Sequence, residues 1–174
     1  GLGVLLLLLL LLQVLLLLLR SAAPGVAPIQ PSNPPPRKMV KLQGTFTALV
    51  TPMLPGGEVD WEGMERLVDA QVAAGVDGLV PVGTTGESPT LTAEEKKRIF
   101  ELCVRKCKGK GIVVVAGTGS NNTASTVEAT KKAKEAGVDA ALVVVPYYNK
   151  PNQAGLYEHF KKVAEEGGLP VVLY

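Results

Sequence analysis

The chain has little of what hydrolytic and metal-dependent enzymes use for chemistry. Its 174 residues include one histidine and two cysteines. His159 stands beside Phe160 in a segment with helical apolar spacing, where a packing or surface role is expected. Because the sequence offers no acid pair, Ser/His pair or Cys/His pair, hydrolase and metal chemistry are not expected.

The two cysteines are spaced for packing. Cys103 and Cys107 are four residues apart on one face of a predicted helix. This is neither a Cys-x-x-Cys redox motif nor part of a zinc pattern completed by a second cluster. We therefore predict two buried thiols in a reducing compartment.

Acidic residues are missing from the first 38 positions, and this absence divides the chain. Residues 1–19 contain fourteen leucines and no charge, and residues 20–38 contain six of the thirteen prolines. Neither segment can build a globular core, so residues 1–38 are predicted to be an extension outside the fold. Residues 39–174 carry fifteen basic and sixteen acidic side chains, a balance that does not suggest nucleic-acid binding.

The leucine run has three interpretations. As a helix it would span about 27 Å, enough for a bilayer core, but it lacks the basic start and cleavage region of a secretory signal. It could be a signal or anchor, an unusual transit segment, or an upstream extension unrelated to the domain. We favour the last, because Met39 and the residues after it look like a natural start. A cytoplasmic protein is expected, with membrane anchoring or organelle targeting through residues 1–38 as the alternative.

A repeat in the remaining sequence predicts the fold class. The sequence Ala-Gly-Val-Asp at 74–77 recurs at 136–139, a displacement of two βα units. Reading outward from the repeat gives strands near 44–50, 78–82, 112–116, 140–145 and 170–174, and helices near 60–74, 92–108, 123–136 and 153–166. This alternation indicates a parallel α/β sheet with right-handed crossovers.

A dinucleotide-binding Gly-x-Gly-x-x-Gly loop is absent after the first strand, and residues 117–122 lack its third glycine. That second loop is better explained as a tight turn into an asparagine N-cap. Polar loops follow four of the strands, which favours a (β/α)8 TIM barrel. Since a barrel needs eight units and about 250 residues, the chain is predicted to end within the fifth strand.

Residues 83–88 form the most informative loop, Gly-Thr-Thr-Gly-Glu-Ser. The loop lies between a predicted strand and a helix with Thr92 as N-cap and Glu95 three residues later. Its threonines could merely satisfy backbone groups in a turn. Alternatively, Gly83 and Gly86 could let backbone amides approach a small anion at the carboxyl end of the strand.

Several motifs together resemble a known family. They lie at residues 46–53, 83–88, 116–119, 146–151 and 155–160, in order along residues 39–174. The set closely resembles the dihydrodipicolinate synthase family, one of the pyruvate-dependent class I aldolases that include N-acetylneuraminate lyase. The adjacent Thr84 and Thr85 favour the synthase over the lyase.

The resemblance implies a TIM barrel and a lyase reaction without a metal or organic cofactor. A lysine would form a Schiff base with pyruvate, and the enamine would condense with L-aspartate 4-semialdehyde to give 4-hydroxy-tetrahydrodipicolinate, in lysine biosynthesis through diaminopimelate. Thr85 would bind the pyruvate carboxylate, and Thr84, Tyr148 and Tyr174 would form the proton relay. From sequence alone, Tyr174 could equally be a core residue.

The resemblance also implies an assembly and a missing part. The counterpart of Tyr147 would reach into a neighbouring subunit of a homotetramer built as a dimer of dimers. The Schiff-base lysine and a substrate-binding arginine would lie beyond Tyr174, so this chain is expected to be an N-terminal half that is inactive alone. Lys96 and Ser125 stand where lysine-sensitive members offer polar or acidic contacts, so inhibition by lysine is not expected.

Two other functions remain open at this stage. One is another pyruvate-dependent aldolase of the N-acetylneuraminate lyase type. The other, from a different class, is a non-catalytic membrane-tethered fragment that uses the leucine run.

Overall fold

Strands and helices alternate through residues 40–174, the part of the chain that the computed structural model describes. The extension predicted at residues 1–38 lies outside it. The strands are β1 (Phe46–Ala48), β2 (Gly78–Val80), β3 (Val113–Gly117), β4 (Ala140–Val143) and β5 (Val171–Leu173). The helices are α1 (Trp61–Ala73), α2 (Ala93–Cys107), α3 (Thr123–Glu135) and α4 (Gln153–Glu166), with a 3-10 turn at Ser88–Thr90. Among these helices, none is long and apolar enough to cross a membrane.

The strands form one parallel sheet in the order β1-β2-β3-β4-β5. The predicted parallel α/β class is therefore confirmed. The order never reverses, whereas reversal is the mark of a doubly wound sheet. Because each right-handed crossover moves one strand in the same direction, the helices fall on one face of the sheet.

The repeated aspartate has a structural reason that the sequence pattern did not reveal. The Asp77 carboxylate accepts a hydrogen bond from the backbone N–H of Thr45 at 2.7 Å. Asp139, its counterpart in the second copy, accepts one from the N–H of Val114 at 3.0 Å. Each aspartate thus ties the start of its own strand to the preceding strand of the sheet. The glycines before them, Gly75 and Gly137, have φ of 73° and 91°, as the predicted helix ends require.

Every helix begins at a side-chain cap. Asp60, Asn122 and Asn152 accept hydrogen bonds from backbone N–H groups three residues later. Thr92 and Glu95 form a reciprocal capping box at the start of α2, as predicted. These local signals explain why the predicted helix boundaries differ from the structure by at most a residue.

Four of the five strands are shorter than predicted, most informatively β2, whereas β3 keeps its predicted length and is shifted by one residue. The apolar run continues to Val82, but the strand ends at Val80. Val82 has φ of 58°, in the left-handed region that branched residues rarely adopt. The chain therefore turns two residues earlier than hydropathy indicates.

The core lies between the helices and the sheet face that carries Leu79, Val114 and Val143. Both cysteines are free and belong to this core, which confirms the prediction of buried thiols. Burial raises the pKa of Cys103 to about 12 and also raises the pKa of Cys107. Neither thiol is therefore poised as a nucleophile.

Candidate active site

Two cavities reach the carboxyl ends of the strands, where parallel α/β proteins place their ligands, and the second also extends to Leu42, Gln43 and Gly44 before β1. The first, here called the strand-end cavity, has a volume of about 360 Å³, and its lining includes Thr84, Tyr147 and Tyr174. The second, the inner-face cavity, has a volume of about 460 Å³ and lies against the sheet face carrying Val80 and Val172. The cavities share Gly83, Thr84, Leu142 and Tyr174.

The loop after β2 starts from a strained backbone that its neighbours hold in place. Val82 is only 2% exposed despite its positive φ. Gly117 of β3 passes directly against it, because a Cβ at Gly117 would lie 2.1 Å from the Val82 carbonyl oxygen. The Gly117 N–H also donates to Pro81 O at 2.9 Å. Strain of this kind persists only where surrounding structure fixes it, and it concentrates at functional sites.

The two threonines lie in a tight turn within this loop. The Gly86 N–H donates to Gly83 O and the Glu87 N–H donates to Thr84 O, each at 3.1 Å. The Gly86 amide is thus already used within the turn. Gly86 is needed for close packing instead, since a Cβ there would lie 3.0 Å from Leu49 O.

Thr51 fixes the far end of the turn, a role that the sequence did not indicate. Its side chain is 5% exposed, and its hydroxyl donates to Gly86 O at 2.8 Å. Thr51 is not among the residues that line either cavity. It therefore positions the loop from β1 without facing the site.

The loop after β3 uses its hydroxyls internally. Thr118 Oγ1 lies 2.9 Å from Thr130 Oγ1, and both side chains are buried. Ser120 Oγ lies 3.2 Å from Thr126 Oγ1. These pairs anchor the loop to α3, so its hydroxyl-rich sequence is mainly structural.

The structure brings three of the four predicted site residues together. Thr84 and Tyr174 line both cavities, and Thr85 lines the inner-face cavity with them. Tyr174 is 62% exposed, so it is not the core residue that its strand would also have allowed. These positions join β2 to β5, which are far apart in sequence.

Tyr148, the fourth predicted site residue, is placed elsewhere. It is 92% exposed, has φ of 68°, and lines neither cavity. Tyr147 lines the strand-end cavity instead. Within one chain the two tyrosines are thus exchanged relative to expectation: Tyr147 was expected to reach outward to a neighbouring subunit, and Tyr148 was expected to lie in the site.

A cation also borders the strand-end cavity. Lys96 of α2 is half-buried and lines the wall next to Ser88. Burial lowers the pKa of its ammonium group, because removing the charge from water disfavours it.

His159 lies away from both cavities. Its Nδ1 is 2.9 Å from Thr123 Oγ1, and its ring packs edge-on against Phe160 with centroids 5.2 Å apart. Burial lowers its pKa. The predicted packing role is confirmed. In residues 40–174, no group of three His, Cys, Asp or Glu side chains lies together in a way that could hold a metal ion.

Comparison with known proteins identifies a family. A family model described as the dihydrodipicolinate synthetase family matches residues 41–174. A curated relative from Bdellovibrio bacteriovorus, named 4-hydroxy-tetrahydrodipicolinate synthase, is 54% identical over 136 residues, covering 78% of this chain and 46% of the relative. The chain thus spans about half the length of that relative.

Solved structures give the same result. Dihydrodipicolinate synthase from Aquifex aeolicus matches with a TM-score of 0.72 and 52% identity, over 76% of this chain and 45% of that one. The chloride-inhibited enzyme from Acinetobacter baumannii, complexed with pyruvate, matches with a TM-score of 0.74 and 48% identity, over 77% and 46% of the two chains.

Proposed function

Because this chain belongs to the dihydrodipicolinate synthetase family, we propose that the full-length protein condenses pyruvate with L-aspartate 4-semialdehyde to give 4-hydroxy-tetrahydrodipicolinate. The observation that carries the proposal is the shared lining of the two cavities by Thr84 and Tyr174. These two hydroxyl-bearing residues follow strands that are distant in the sequence, and they line the same cavities at the strand ends, where TIM-barrel enzymes have their active sites.

Formation of the pyruvate imine requires proton transfer, which explains the role of hydroxyl groups in this site. A lysine amine adds to the pyruvate carbonyl, its nitrogen loses protons, and the resulting hydroxyl group leaves as water to give the imine. Thr84 and Tyr174 can each donate and accept a proton, so they can pass protons without introducing a fixed charge. The lysine itself is assigned to the part of the protein that follows Tyr174.

Thr85 is assigned to the pyruvate carboxylate. It lines the inner-face cavity beside Thr84 and Tyr174, so its hydroxyl is available close to the proposed relay. A hydrogen bond to a charged group contributes about 1.5–3 kcal/mol, which corresponds to about 10- to 100-fold in affinity.

Borohydride trapping on the full-length protein tests the proposal. Pyruvate and borohydride should together add a reduced pyruvyl group to one lysine, and turnover should require L-aspartate 4-semialdehyde. Thr84→Val and Tyr174→Phe should lower kcat by about 10²-fold or more, whereas Thr85→Val should chiefly raise KM for pyruvate. Thr45→Val makes the same chemical change at the amino end of β1, at a residue that lines neither cavity, and should leave both constants unchanged. Absence of the adduct would overturn the proposal.

Tyr148 is proposed to complete the relay of a second copy, within a homotetramer built as a dimer of dimers. Its 92% exposure supports a contact outside its own chain. Mixing Tyr148→Phe subunits with Tyr174→Phe subunits tests this. In an isologous dimer each mixed pair regains one intact site, so random mixing should restore about a quarter of wild-type activity. If Tyr148 acts within its own chain, mixing restores nothing.

The fold of the whole protein is proposed to be a (β/α)8 barrel, of which residues 39–174 form the amino-terminal half. The unreversed strand order and the half-exposed face carrying Leu142 and Val172 support closure by further strands. A crystal structure of the full-length protein tests this, because it should show new parallel strands beside both β1 and β5.

A cytoplasmic location is proposed, with targeting through residues 1–38 as the alternative. Two free buried thiols and a reaction between small charged metabolites support it. Fractionation of cells that express the full-length protein, with and without residues 1–38, tests it. Recovery in the membrane fraction only when the extension is present would favour the alternative.

A further inference from the structure

One apolar side chain stands at the junction of the two cavities. The strand-end cavity and the inner-face cavity have four lining residues in common, Gly83, Thr84, Leu142 and Tyr174. Gly83 has no side chain, and Thr84 and Tyr174 are assigned to the proton relay. Leu142 is therefore the one residue of the four that offers a purely apolar side chain to a substrate at this junction.

The pleat of β4 directs Leu142 away from the core. Successive side chains of a strand alternate between the two faces of the sheet. The neighbours of Leu142 on this strand, Ala141 and Val143, are completely buried and belong to the core between sheet and helices. Leu142 itself is only half-buried and lines both cavities. Its side chain therefore projects from the opposite face of the sheet into space that the core does not fill.

Leu142 also reaches across the sheet to the loop that carries the two threonines. A Cβ placed at Gly83 would lie 3.8 Å from Leu142 Cδ2, an ordinary van der Waals distance. The intervening strand β3 has Gly117 in register with Leu142, so no side chain at that position separates the two. On its other side, Leu142 is in register with Val172, two residues before Tyr174. Leu142 thus lies between the two segments that carry the proposed relay.

The proposed reaction determines which part of pyruvate meets this side chain. The inference rests on the proposed function, in which Thr85 binds the carboxylate while Thr84 and Tyr174 serve the carbonyl group. Pyruvate consists of a carboxylate, a carbonyl and a methyl group in that order. Since hydroxyl groups take the first two, the methyl group is the part left for an apolar contact, and it lies beside the carbonyl at the same junction.

We propose that Leu142 sets the size limit for the 2-oxo acid. Its side chain packs against the methyl group of pyruvate and excludes a longer chain. 2-Oxobutyrate carries one more methylene group, which can enter only if the Leu142 side chain is displaced. One methylene in an apolar pocket discriminates between substrates by about 10- to 200-fold. Leu142 thus selects for size, whereas the threonines bind charge and transfer protons.

Competition trapping on the full-length protein tests the proposal. Pyruvate and 2-oxobutyrate at equal concentration are reduced onto the protein with borohydride, and mass spectrometry counts the two adducts, which differ by one methylene. The wild type should carry at least about tenfold more of the pyruvate adduct. Leu142→Ala should lower this ratio by about tenfold or more, and the milder Leu142→Val by severalfold. Leu142→Met conserves the volume and should keep the wild-type ratio.

Two matched variants separate size selection from a general loosening of the sheet. Val143→Ala removes volume from the core on the opposite face of the same strand. Val115→Ala enlarges the inner-face cavity two residues before Gly117, and therefore one layer farther from the strand ends than Leu142. Both variants should keep the wild-type ratio even if they lower stability, because the two adducts form on the same folded molecules.

The outcomes distinguish this inference from the proposed function. If the wild type forms no adduct with either 2-oxo acid, the proposed function is overturned and the inference with it. If the wild type traps pyruvate selectively and both Leu142→Ala and Leu142→Val keep its ratio, only the role of Leu142 is overturned. Equal yields of the two adducts on the wild type also overturn it. The same holds if Val115→Ala or Val143→Ala lowers the ratio as much as Leu142→Ala does.

Discussion

The hydrogen bond from the Thr51 hydroxyl to the Gly86 carbonyl should affect pyruvate turnover, although Thr51 lines neither cavity. Thr51→Val removes the hydroxyl while keeping the shape of the side chain, so no cavity forms. The Gly86 carbonyl, whose bond to Thr51 is buried, then loses its donor. Leaving a buried acceptor unsatisfied costs about 1–3 kcal/mol, partly offset by the more apolar valine.

We expect a net loss of about 1–2 kcal/mol in the free energy of unfolding of the full-length protein. For a full-length chain about twice as long as this one, that corresponds to a fall in Tm of about 2–3 °C at matched scan rate. If the bond holds the turn of Thr84 and Thr85 in its binding conformation, kcat/KM for pyruvate should fall by about 5- to 30-fold, the same energy expressed as a rate ratio.

Thr51→Ser is the matched control. It keeps the hydroxyl but loses a buried methyl group, which costs about 0.5–1.5 kcal/mol. It should therefore lower Tm while leaving kcat/KM near the wild-type value. The reasoning fails if both variants lose activity equally, or if Thr51→Val keeps full activity.

Three further predictions concern the backbone, the thiols and the histidine. Val82→Gly should be at least as stable as Val82→Ala, because alanine in the left-handed region costs about 1–2 kcal/mol. At Val143, in an ordinary strand, the glycine variant should instead be less stable than the alanine variant by about 0.5–1 kcal/mol. If the glycine variant is less stable than the alanine variant at both positions, the backbone at Val82 is not strained. Cys103 and Cys107 should resist a thiol reagent at pH 8 in the native protein, since a pKa of about 12 leaves a thiolate fraction of about 10⁻⁴ at Cys103. Both thiols should react in denaturant. Rapid labelling of the native protein would contradict their burial. The pKa of His159 is lowered by burial, so the unfolded state takes up its proton first as pH falls. Stability should therefore decrease below about pH 6.5, and chemical denaturation of His159→Phe across this range should show a smaller decrease; an identical slope would exclude this histidine as the cause.

Much of the fold could be predicted because its signals are local. The caps at Thr92 and Asn122 and the glycines that end the helices act within a few residues, so they can be read from the chain directly. The unreversed strand order was indicated only indirectly, through the missing dinucleotide loop and the polar loops after the strands. Strand ends were less accurate, because hydropathy does not record that Gly117, which has no Cβ, lets the turn at Val82 pack against β3.

The candidate site divides in the same way. The motifs around Thr84 and Thr85 predicted the family, and the roles proposed for these two residues follow from that resemblance. They could not indicate that Thr51 holds the loop, because that bond joins residues 35 positions apart. Nor could they separate Tyr147 from Tyr148, since adjacent residues in an irregular loop differ only in backbone conformation.

The sequence by itself determined the class of fold, the positions of the helices and the family, because these depend on periodicity and short motifs. Only the tertiary structure decided which hydroxyls face a cavity and which are used inside the scaffold. The physical reason is that burial and hydrogen-bond partners arise between segments distant in the chain, once parallel packing has brought their ends together.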